Sequence, residues 1–497
     1  MKPTAESRSL ADRHYPDGLN AGERFLNLFT TIAPGEGRAI ALFSLYGFLV
    51  VGSFYIFKTV REPLLLTANS AVAKSNATAM AAIILFLLMP VYSLLFKRLK
   101  RRHLLAVLAI IFSASGAAFI PLLRAGYDIG YPYYIWTAVY GVAMIAHFWA
   151  FATSALNVES GNRLFPLFLA AASLGGIAGA ELTSALLDKS GIESLLGLGS
   201  LLLLATIALP TRAGRSLPAA SRNPLPAVPE NGRLQPIGGL GLVICNRYLL
   251  TIAAYVVILN IVNTTGEYVL AESIVQRVDA ATSDAVARQL MIGRYYARYT
   301  VWITMLGFIL QLFVVSRLFR RYGPGTASMI LPVLALAGYA LAGVFPVFTL
   351  IYLFKVIENG VDYSIMNTTR HAWFLPAGYR EKFEGKSTID TLFWRIGDLL
   401  QVLIIHLGSQ VLGWGIAGFS LFNALLAALW ILFARQVSNG YRTRLAAGTS
   451  SPPDQGKRRH PVRSGRLALS RPQHEIAPTN TIAPRRSAST AAAGSCD

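Results

Sequence analysis

Apolar runs of about 20 residues recur along most of the sequence, and they constrain the fold more than any other feature. A helix needs about 20 apolar residues to cross the hydrocarbon core of a bilayer. The runs lie at residues 39–57, 78–96, 104–123, 131–153, 164–187, 192–210, 249–268, 299–316, 325–345, 347–369, 387–408 and 413–434. The sequence therefore predicts an all-α polytopic membrane protein with twelve transmembrane helices.

The composition excludes an ordinary soluble enzyme. Only 14% of the residues are charged and 54% are hydrophobic, whereas an average soluble domain has about 25% charged residues. The two cysteines, Cys245 and Cys496, are too few for a disulfide framework or a four-ligand zinc site. No motif of a soluble catalytic site is visible. We therefore expect no catalytic residues, no metal and no cofactor.

The net charge of +20 suggests nucleic acid as a partner, but its distribution argues against this. Much of the charge lies in residues 437–497, a segment rich in Pro, Ser and Ala that is predicted to be disordered. Its basic run, Lys457 to Arg459, has no interleaved aromatic residues, so attraction to anionic lipid is preferred to RNA binding. The expected partners are the lipid bilayer and a small solute, and the protein is expected to be a monomer.

A Pro-rich segment at residues 211–240 divides the chain into two halves. Residues 38–210 and 241–436 are each predicted to form six helices, and residues 1–37 form an N-terminal segment. The basic loop Lys97–Arg102 after the second span recurs as Ser316–Arg321 after the eighth. Two such repeats are the organisation of major-facilitator transporters, whose substrate site lies near the membrane midplane between the halves.

The loops on the side of the two termini contain more Lys and Arg than the loops on the other side. Short loops rich in Lys and Arg stay in the cytoplasm. Both termini are therefore predicted to be cytoplasmic.

Charged side chains cluster where the first and seventh spans end. Lys58, Arg61 and Glu62 follow the first apolar run, and the seventh carries Asn263 and Glu267. Charged groups inside a membrane are costly, so they mark substrate or ion pathways by default. For the first span, an interfacial loop with side chains that reach the water is the alternative.

The tenth and eleventh spans also contain charged residues. Lys355, Glu358 and Asp362 recur at i, i+3 and i+7 and therefore share one helix face. In the eleventh span the charged residues are Asp390, Arg395 and Asp398. A structural ion-pair network between the two helices is the alternative to a role in transport.

Several short motifs resemble those of the non-mitochondrial ATP:ADP antiporters of plastids and intracellular bacteria. These motifs are spread over residues 46–436 and comprise Tyr55–Ala68, Phe148–Ala152, Asn162–Phe168, Tyr363–Met366, Phe374–Pro376 and Gly385–Asp390. The resemblance implies a major-facilitator-like transporter in a bacterial inner membrane that exchanges nucleotides such as ATP and ADP. Asp362 and Asp398 stand where the family has Lys, which removes positive charge that a triphosphate requires.

The candidate residues fall into two groups. Those expected to bind the substrate are Lys58, Arg61, Asn263, Glu267, Arg298, Asp362 and Arg370. Those expected to couple or gate transport are Glu62, Lys355, Glu358, Asp390, Arg395 and Asp398. The favoured function is exchange of nucleotides or a related anionic metabolite by alternating access. The alternatives are a proton-coupled transporter of a different solute and a membrane scaffold or sensor without transport.

Overall fold

The computed structural model describes residues 21–26, 32–98, 101–222, 238–378 and 380–450. These parts of the chain contain helices and no β-strand. Twelve helical segments follow the twelve predicted spans and are numbered α1 to α12. They are α1 Gly37–Leu66, α2 Val72–Arg98, α3 Arg101–Arg124, α4 Gly130–Ala155, α5 158–190, α6 192–205, α7 Arg247–Asp279, α8 Ala285–Phe313, α9 Ile330–Val344, α10 348–372, α11 381–411 and α12 Ile416–Ser450.

Helices α5 and α6 form one continuous helical stretch that is broken at Gly191. This glycine has a φ of 69°, a left-handed backbone conformation that side chains with a Cβ rarely adopt. Four shorter α-helices and a 3₁₀ turn, Ala219–Ser221, complete the described part of the chain. The four helices are Ala21–Leu26, Leu209–Ser216, Gly238–Cys245 and Val315–Ala327. The last of these is bent by 77° relative to α8.

Six helices of the described chain are long and apolar enough to cross a membrane, or seven if α8 and its bent continuation form one span. Two shorter apolar helices are Val72–Leu88 and Ile330–Val344. The prediction of a multi-pass, all-α membrane protein is confirmed. Charged residues and π-helical turns interrupt α10 and α11, so neither contains an unbroken apolar α-helix of the length needed to cross a membrane.

The π-helical turns were not predicted from the sequence. One lies in α10 at Asp362–Met366. Three lie in α11, at Glu381–Gly385, Ile389–Phe393 and Leu407–Val411. Such turns inside α-helices are frequently found at functional sites.

Buried hydrophobic side chains form three main clusters. One joins α1 with α3 to α6, and the second joins α7 with α9, α10 and α12. In the first, Gly175 and Gly179 of α5 lie so close to α1 that an added Cβ would overlap its backbone. The third cluster brings Leu66 and Ala71 together with side chains of α7 and α8. The two groups of six helices therefore meet near the α1–α2 connection.

Several predicted boundaries are wrong. Helix α2 begins at Val72 rather than 78, and α8 begins at Ala285 rather than 299. Helix α12 continues to Ser450, so residues 437–450 belong to a helix and not to the predicted tail. The predicted linker 211–240 is helical at both ends. Its residues 223–237, residues 1–20 and the tail 451–497 lie outside the described residues, and the domain division stays a prediction.

Short connections make consecutive helices run in opposite directions. The starts of α1 and α7 and the end of α12 therefore lie at one end of the bundle, which we call the termini end. The opposite end, which contains the α1–α2 and α7–α8 connections, is called the far end.

Candidate functional site

A polar cavity lies between the two groups of six helices. Its volume is about 180 Å³. Helices α1, α2, α4, α7, α8, α10 and α11 contribute to its lining, which includes Lys58, Arg61, Glu62, Lys74, Tyr134, Asn263, Glu267, Tyr296, Tyr299, Asn359, Tyr363 and Gln401. Apolar helices of both halves thus enclose side chains of positive and negative charge.

Positive and negative side chains alternate along a series of ion pairs through this cavity, which we call the ion-pair chain. It runs from Arg61 through Glu62, Lys74, Glu267 and Lys355 to Glu358. Arg61 pairs with Glu62 at 2.8 Å, and Glu62 lies 3.4 Å from Lys74. Lys74 is buried and also pairs with Glu267 of α7 at 3.0 Å. The Lys74–Glu267 pair therefore joins the N-terminal half to the C-terminal half.

The ion-pair chain continues into the C-terminal half. Lys355 has no exposed side-chain surface, lies 3.8 Å from Glu267 and pairs with Glu358 at 2.6 Å. The hydroxyl of Tyr339 donates to Glu358 at 2.9 Å, and Lys355 Nζ donates to the Asn263 side chain at 3.2 Å. Lys355 and Glu358 thus adjoin the cavity through their partners, although neither lines it.

Aromatic and amide groups hold the charged side chains in place. The Arg61 guanidinium lies 4.1 Å from the centre of the Tyr134 ring, and Lys74 Nζ lies 5.0 Å from that of Tyr296. Cations over such rings are stabilised electrostatically. Glu267 accepts hydrogen bonds from Tyr299 at 2.9 Å and from Asn359 at 2.6 Å. The charged side chains of the ion-pair chain are therefore paired, and their orientations are fixed.

Lys58 differs from the other cavity cations. Its Nζ donates to the hydroxyl of Tyr363 at 3.3 Å and lies 5.4 to 6.0 Å from the centres of the rings of Phe54, Tyr55 and Tyr363. Within the described residues it forms no ion pair with a carboxylate. Lys58 is therefore the cavity cation that a solute anion can pair with directly.

The two aspartates that replace lysines of the resembled family have different surroundings. Asp398 is bound by Arg395 at 2.8 Å and by Asn260 at 2.8 Å. Asp362 is buried and accepts one hydrogen bond, from Asn263 at 3.4 Å, and its Oδ1 has no partner in the described part of the chain. Asp362 is the less satisfied of the two carboxylates.

The structure brings together most of the predicted residues but not all of them. Lys58, Arg61, Glu62, Asn263 and Glu267 line the cavity. Asp362 adjoins it through Asn263. Lys355 adjoins it through Glu267, and Glu358 pairs with Lys355.

Arg298 is exposed on α8 and does not line this cavity, so its role in substrate binding stays a prediction. Arg370, Asp390 and Arg395 line a separate cavity near the termini end. Arg370 does not line the cavity of Lys58 and Arg61, because α10 places it about four turns from Lys355. Its role in substrate binding also stays a prediction.

Seven of the lining residues named above are not among the predicted candidates: Lys74, Tyr134, Tyr296, Tyr299, Asn359, Tyr363 and Gln401. Lys74 precedes the predicted span 78–96 but lies in the first turn of α2. Tyr134, Tyr296 and Tyr299 resemble ordinary residues of apolar helices. The available signal was the i, i+3 spacing of Tyr296 and Tyr299, which places both hydroxyl groups on one face of α8.

Further polar contacts between the halves lie toward the far end. Asp188 of α5 pairs with Arg294 of α8 at 2.7 Å, and Arg288 donates to the carbonyl oxygen of Thr67. Gln401 of α11 donates to Ser75 of α2 at 2.8 Å. Together with the Lys74–Glu267 pair, these contacts hold the two halves together beyond the cavity.

Comparison with known proteins identifies the fold. No family model matches the sequence, and no curated protein matches it. The structure of the POT family transporter PepTSo has a TM-score of 0.59 at 13% identity, covering 82% of this chain and 98% of that chain. The fold is major-facilitator-like.

Two other solved structures agree with this assignment. The nucleoside transporter NupG has a TM-score of 0.51 at 13% identity, covering 82% of this chain and 99% of that chain. The human organic anion transporter MFSD10 has a TM-score of 0.53 at 14% identity, covering 81% of this chain and 100% of that chain. The prediction of a major-facilitator-like fold is confirmed.

Proposed function

We propose that the protein is a secondary active transporter that moves a small solute through the cavity between its halves by alternating access. The observation that carries this proposal is the buried ion-pair chain, which crosses from one half to the other around a polar cavity. Buried charges are costly in a membrane protein and are found where substrates or ions pass. A scaffold without transport would not require them.

The contacts between the halves suggest how access alternates. The Asp188–Arg294 and Lys74–Glu267 pairs lie at and beyond the cavity toward the far end. For a solute to leave toward that end, these pairs must separate while the two halves rotate relative to each other. In this account the solute enters from the termini end and its binding weakens the far-end contacts.

The charge of the cavity favours a solute with one anionic group. Arg61 and Lys74 are neutralised by Glu62 and Glu267, which leaves Lys58 as the unpaired cation. A volume of about 180 Å³ is also below the ~300–1,000 Å³ of sites that enclose drug-sized ligands. We therefore rank exchange of ATP for ADP, which the sequence resemblance implies, below transport of a smaller anion.

Uptake by the purified protein in liposomes tests this ranking. The panel consists of ATP, ADP, other nucleotides, sugar phosphates and small monocarboxylates. We expect a solute with one anionic group to accumulate, and Lys58→Gln to weaken its apparent affinity roughly ten- to a hundred-fold, the value of a charge-assisted hydrogen bond. Lys189→Gln, at an exposed lysine, is the matched control. If only ATP and ADP are transported, exchange of ATP for ADP ranks above transport of a smaller anion.

Proton coupling is a second candidate, and the environment of Asp362 favours it. This carboxyl group is buried with one hydrogen bond of 3.4 Å, whereas Asp398 is paired with Arg395. Burying an unpaired carboxylate is costly, so Asp362 is the group that would gain and lose a proton during the cycle.

Asp362→Asn should therefore abolish uptake driven by a proton gradient and leave solute exchange at equal pH intact. Asp398→Asn is the comparison, because its ion pair does not need a proton. Gradient-driven uptake that persists in Asp362→Asn would exclude this residue as the proton carrier.

A further inference from the structure

A second cavity lies near the termini end of the C-terminal half, between α10 and α11. Its volume is about 270 Å³, and it is lined by Arg370, His371, Asp390, Trp394 and Arg395. None of these residues lines the cavity between the halves. The second cavity therefore requires a separate explanation.

Arg370 is the central residue of this cavity. Its guanidinium lies 4.7 Å from the centre of the Trp394 ring, and its Nη2 donates to the Asn367 side chain at 3.3 Å. Its Nε is buried and has no hydrogen-bond partner among the described residues. The Trp394 ring lies against the Arg370 guanidinium, and the Nε donor of this guanidinium stays unused among the described residues.

The neighbouring charges are already paired with each other. Arg395 pairs with Asp398 at 2.8 Å, and Asp390 pairs with Lys386. Within the described chain Arg370 forms no ion pair with a carboxylate. Arg370 is therefore the cation of this cavity that has no carboxylate at ion-pair distance in the described chain, although its charge also acts on the buried Asp362 of the same helix.

The backbone around the cavity is irregular on both helices. The π-helical turn Asp362–Met366 ends one turn before Arg370, and the turn Ile389–Phe393 ends directly before Trp394. A π-helical turn changes the direction of the side chains that follow it, and such turns are frequent at functional sites. Both principal side chains of the cavity thus follow such a turn.

We propose that this cavity is a second anion-binding site, in which Arg370 binds a phosphate or carboxylate group. A guanidinium presents parallel donors that match both of these groups. The group belongs either to a soluble anion or to the head group of an anionic lipid at the membrane surface. This proposal does not depend on transport through the cavity between the halves, because anion binding can be measured in the absence of transport.

Titration of the purified protein in phosphatidylcholine nanodiscs tests the proposal. Inorganic phosphate and acetate are added at constant ionic strength, and tryptophan fluorescence is recorded. We expect a saturable change in the wild type that is absent in Trp394→Phe. Arg370→Gln should weaken the response roughly ten- to a hundred-fold, and Arg370→Lys should weaken it less because the charge is kept. Arg320→Gln, at an exposed arginine near the same end, should not change it.

Repeating the phosphate titration in phosphatidylglycerol nanodiscs distinguishes the two sources. If the lipid head group occupies the site, the Arg370-dependent response to phosphate is lost in these discs, and if the ligand is a soluble anion, the response is kept. The proposal is overturned if Arg370→Lys and Arg370→Gln both titrate as the wild type does. It is equally overturned if Arg320→Gln weakens the response as much as Arg370→Gln.

Discussion

At the scale of single residues, Lys74 has the largest expected effect on stability. It lies between the buried Glu62 and the partly exposed Glu267, and Lys74→Gln would leave Glu62 with Arg61 alone and Glu267 with only the more distant Lys355. Removing one partner of a buried ion pair costs ~3–5 kcal/mol. We expect a loss of this size in the free energy of unfolding, measured by chemical denaturation in detergent.

The exposed Lys189 supplies the control for this measurement. Lys189→Gln should leave the free energy of unfolding almost unchanged. The double variant of Lys74→Gln with Glu267→Gln should recover part of the loss, because one of the carboxylates that lost Lys74 is removed. Equal stability of Lys74→Gln and Lys189→Gln would show that the ion-pair chain is not a structural element of the protein.

Gly266 of α7 leaves room for the side chains of Tyr339 and Lys355, which both contact Glu358. A Cβ at this position would lie 1.7 Å from the Tyr339 hydroxyl and 2.9 Å from Lys355 Nζ. Gly266→Ala should therefore displace Tyr339 from Glu358 and cost ~1–3 kcal/mol, as overpacking usually does. Thermal unfolding of Gly266→Ala is compared with that of Gly241→Ala, where a Cβ meets open space. A melting temperature as high as that of Gly241→Ala would contradict the packing shown here.

At the scale of helices, Glu381 joins three of them at the termini end. Its carboxylate accepts from Arg444 of α12 at 2.7 Å, from the Gly378 amide at 2.9 Å and from Asn246, which caps α7. Glu381 precedes the predicted span 387–408 and is therefore expected to lie outside the membrane. Burial raises its pKa, but these hydrogen bonds outweigh burial and hold the pKa of Glu381 below its usual 4.5.

This lowered pKa gives a pH dependence with a defined sign. The stabilisation by ionised Glu381 is complete above its usual pKa and is lost as the pH falls below it. The melting temperature of the wild type should therefore fall more between pH 7 and about pH 4 than that of Glu381→Gln. Glu384→Gln, at an exposed neighbour paired with Arg380, is the control and should behave as the wild type. If the melting temperatures of the wild type and of Glu381→Gln fall equally with pH, ionised Glu381 does not stabilise the protein as described.

The helices could be predicted better than the site. Apolar runs predicted the twelve spans, because a helix in lipid needs apolar side chains along its whole length. The start of α8 was missed because Arg288, Arg294 and Arg298 lower the hydropathy of its first turns. The pairing of Lys74 with Glu267 could not be predicted, because no local spacing relates residues on different halves of the molecule.

At the scale of the whole molecule, the orientation in the membrane follows from the loop charges and stays a prediction. With cytoplasmic termini, Ala220 lies inside and Ser283 lies outside, and both are exposed. A cysteine at Ser283 should react with an impermeant thiol reagent in intact cells, whereas one at Ala220 should react only after permeabilisation. The reverse pattern would invert the topology.

The central claim is that solute crosses only when the two halves move apart at the far end. Asp188 and Arg294 join the halves there at 2.7 Å, so cysteines at both positions can be bridged by a short bifunctional methanethiosulfonate. Cys245 and Cys496 are replaced by Ser in this background. Uptake of the solute panel into liposomes is then measured before bridging, after bridging and after reduction. The account predicts that bridging stops the uptake and that reduction restores it, and uptake that continues unchanged in the bridged protein would contradict it.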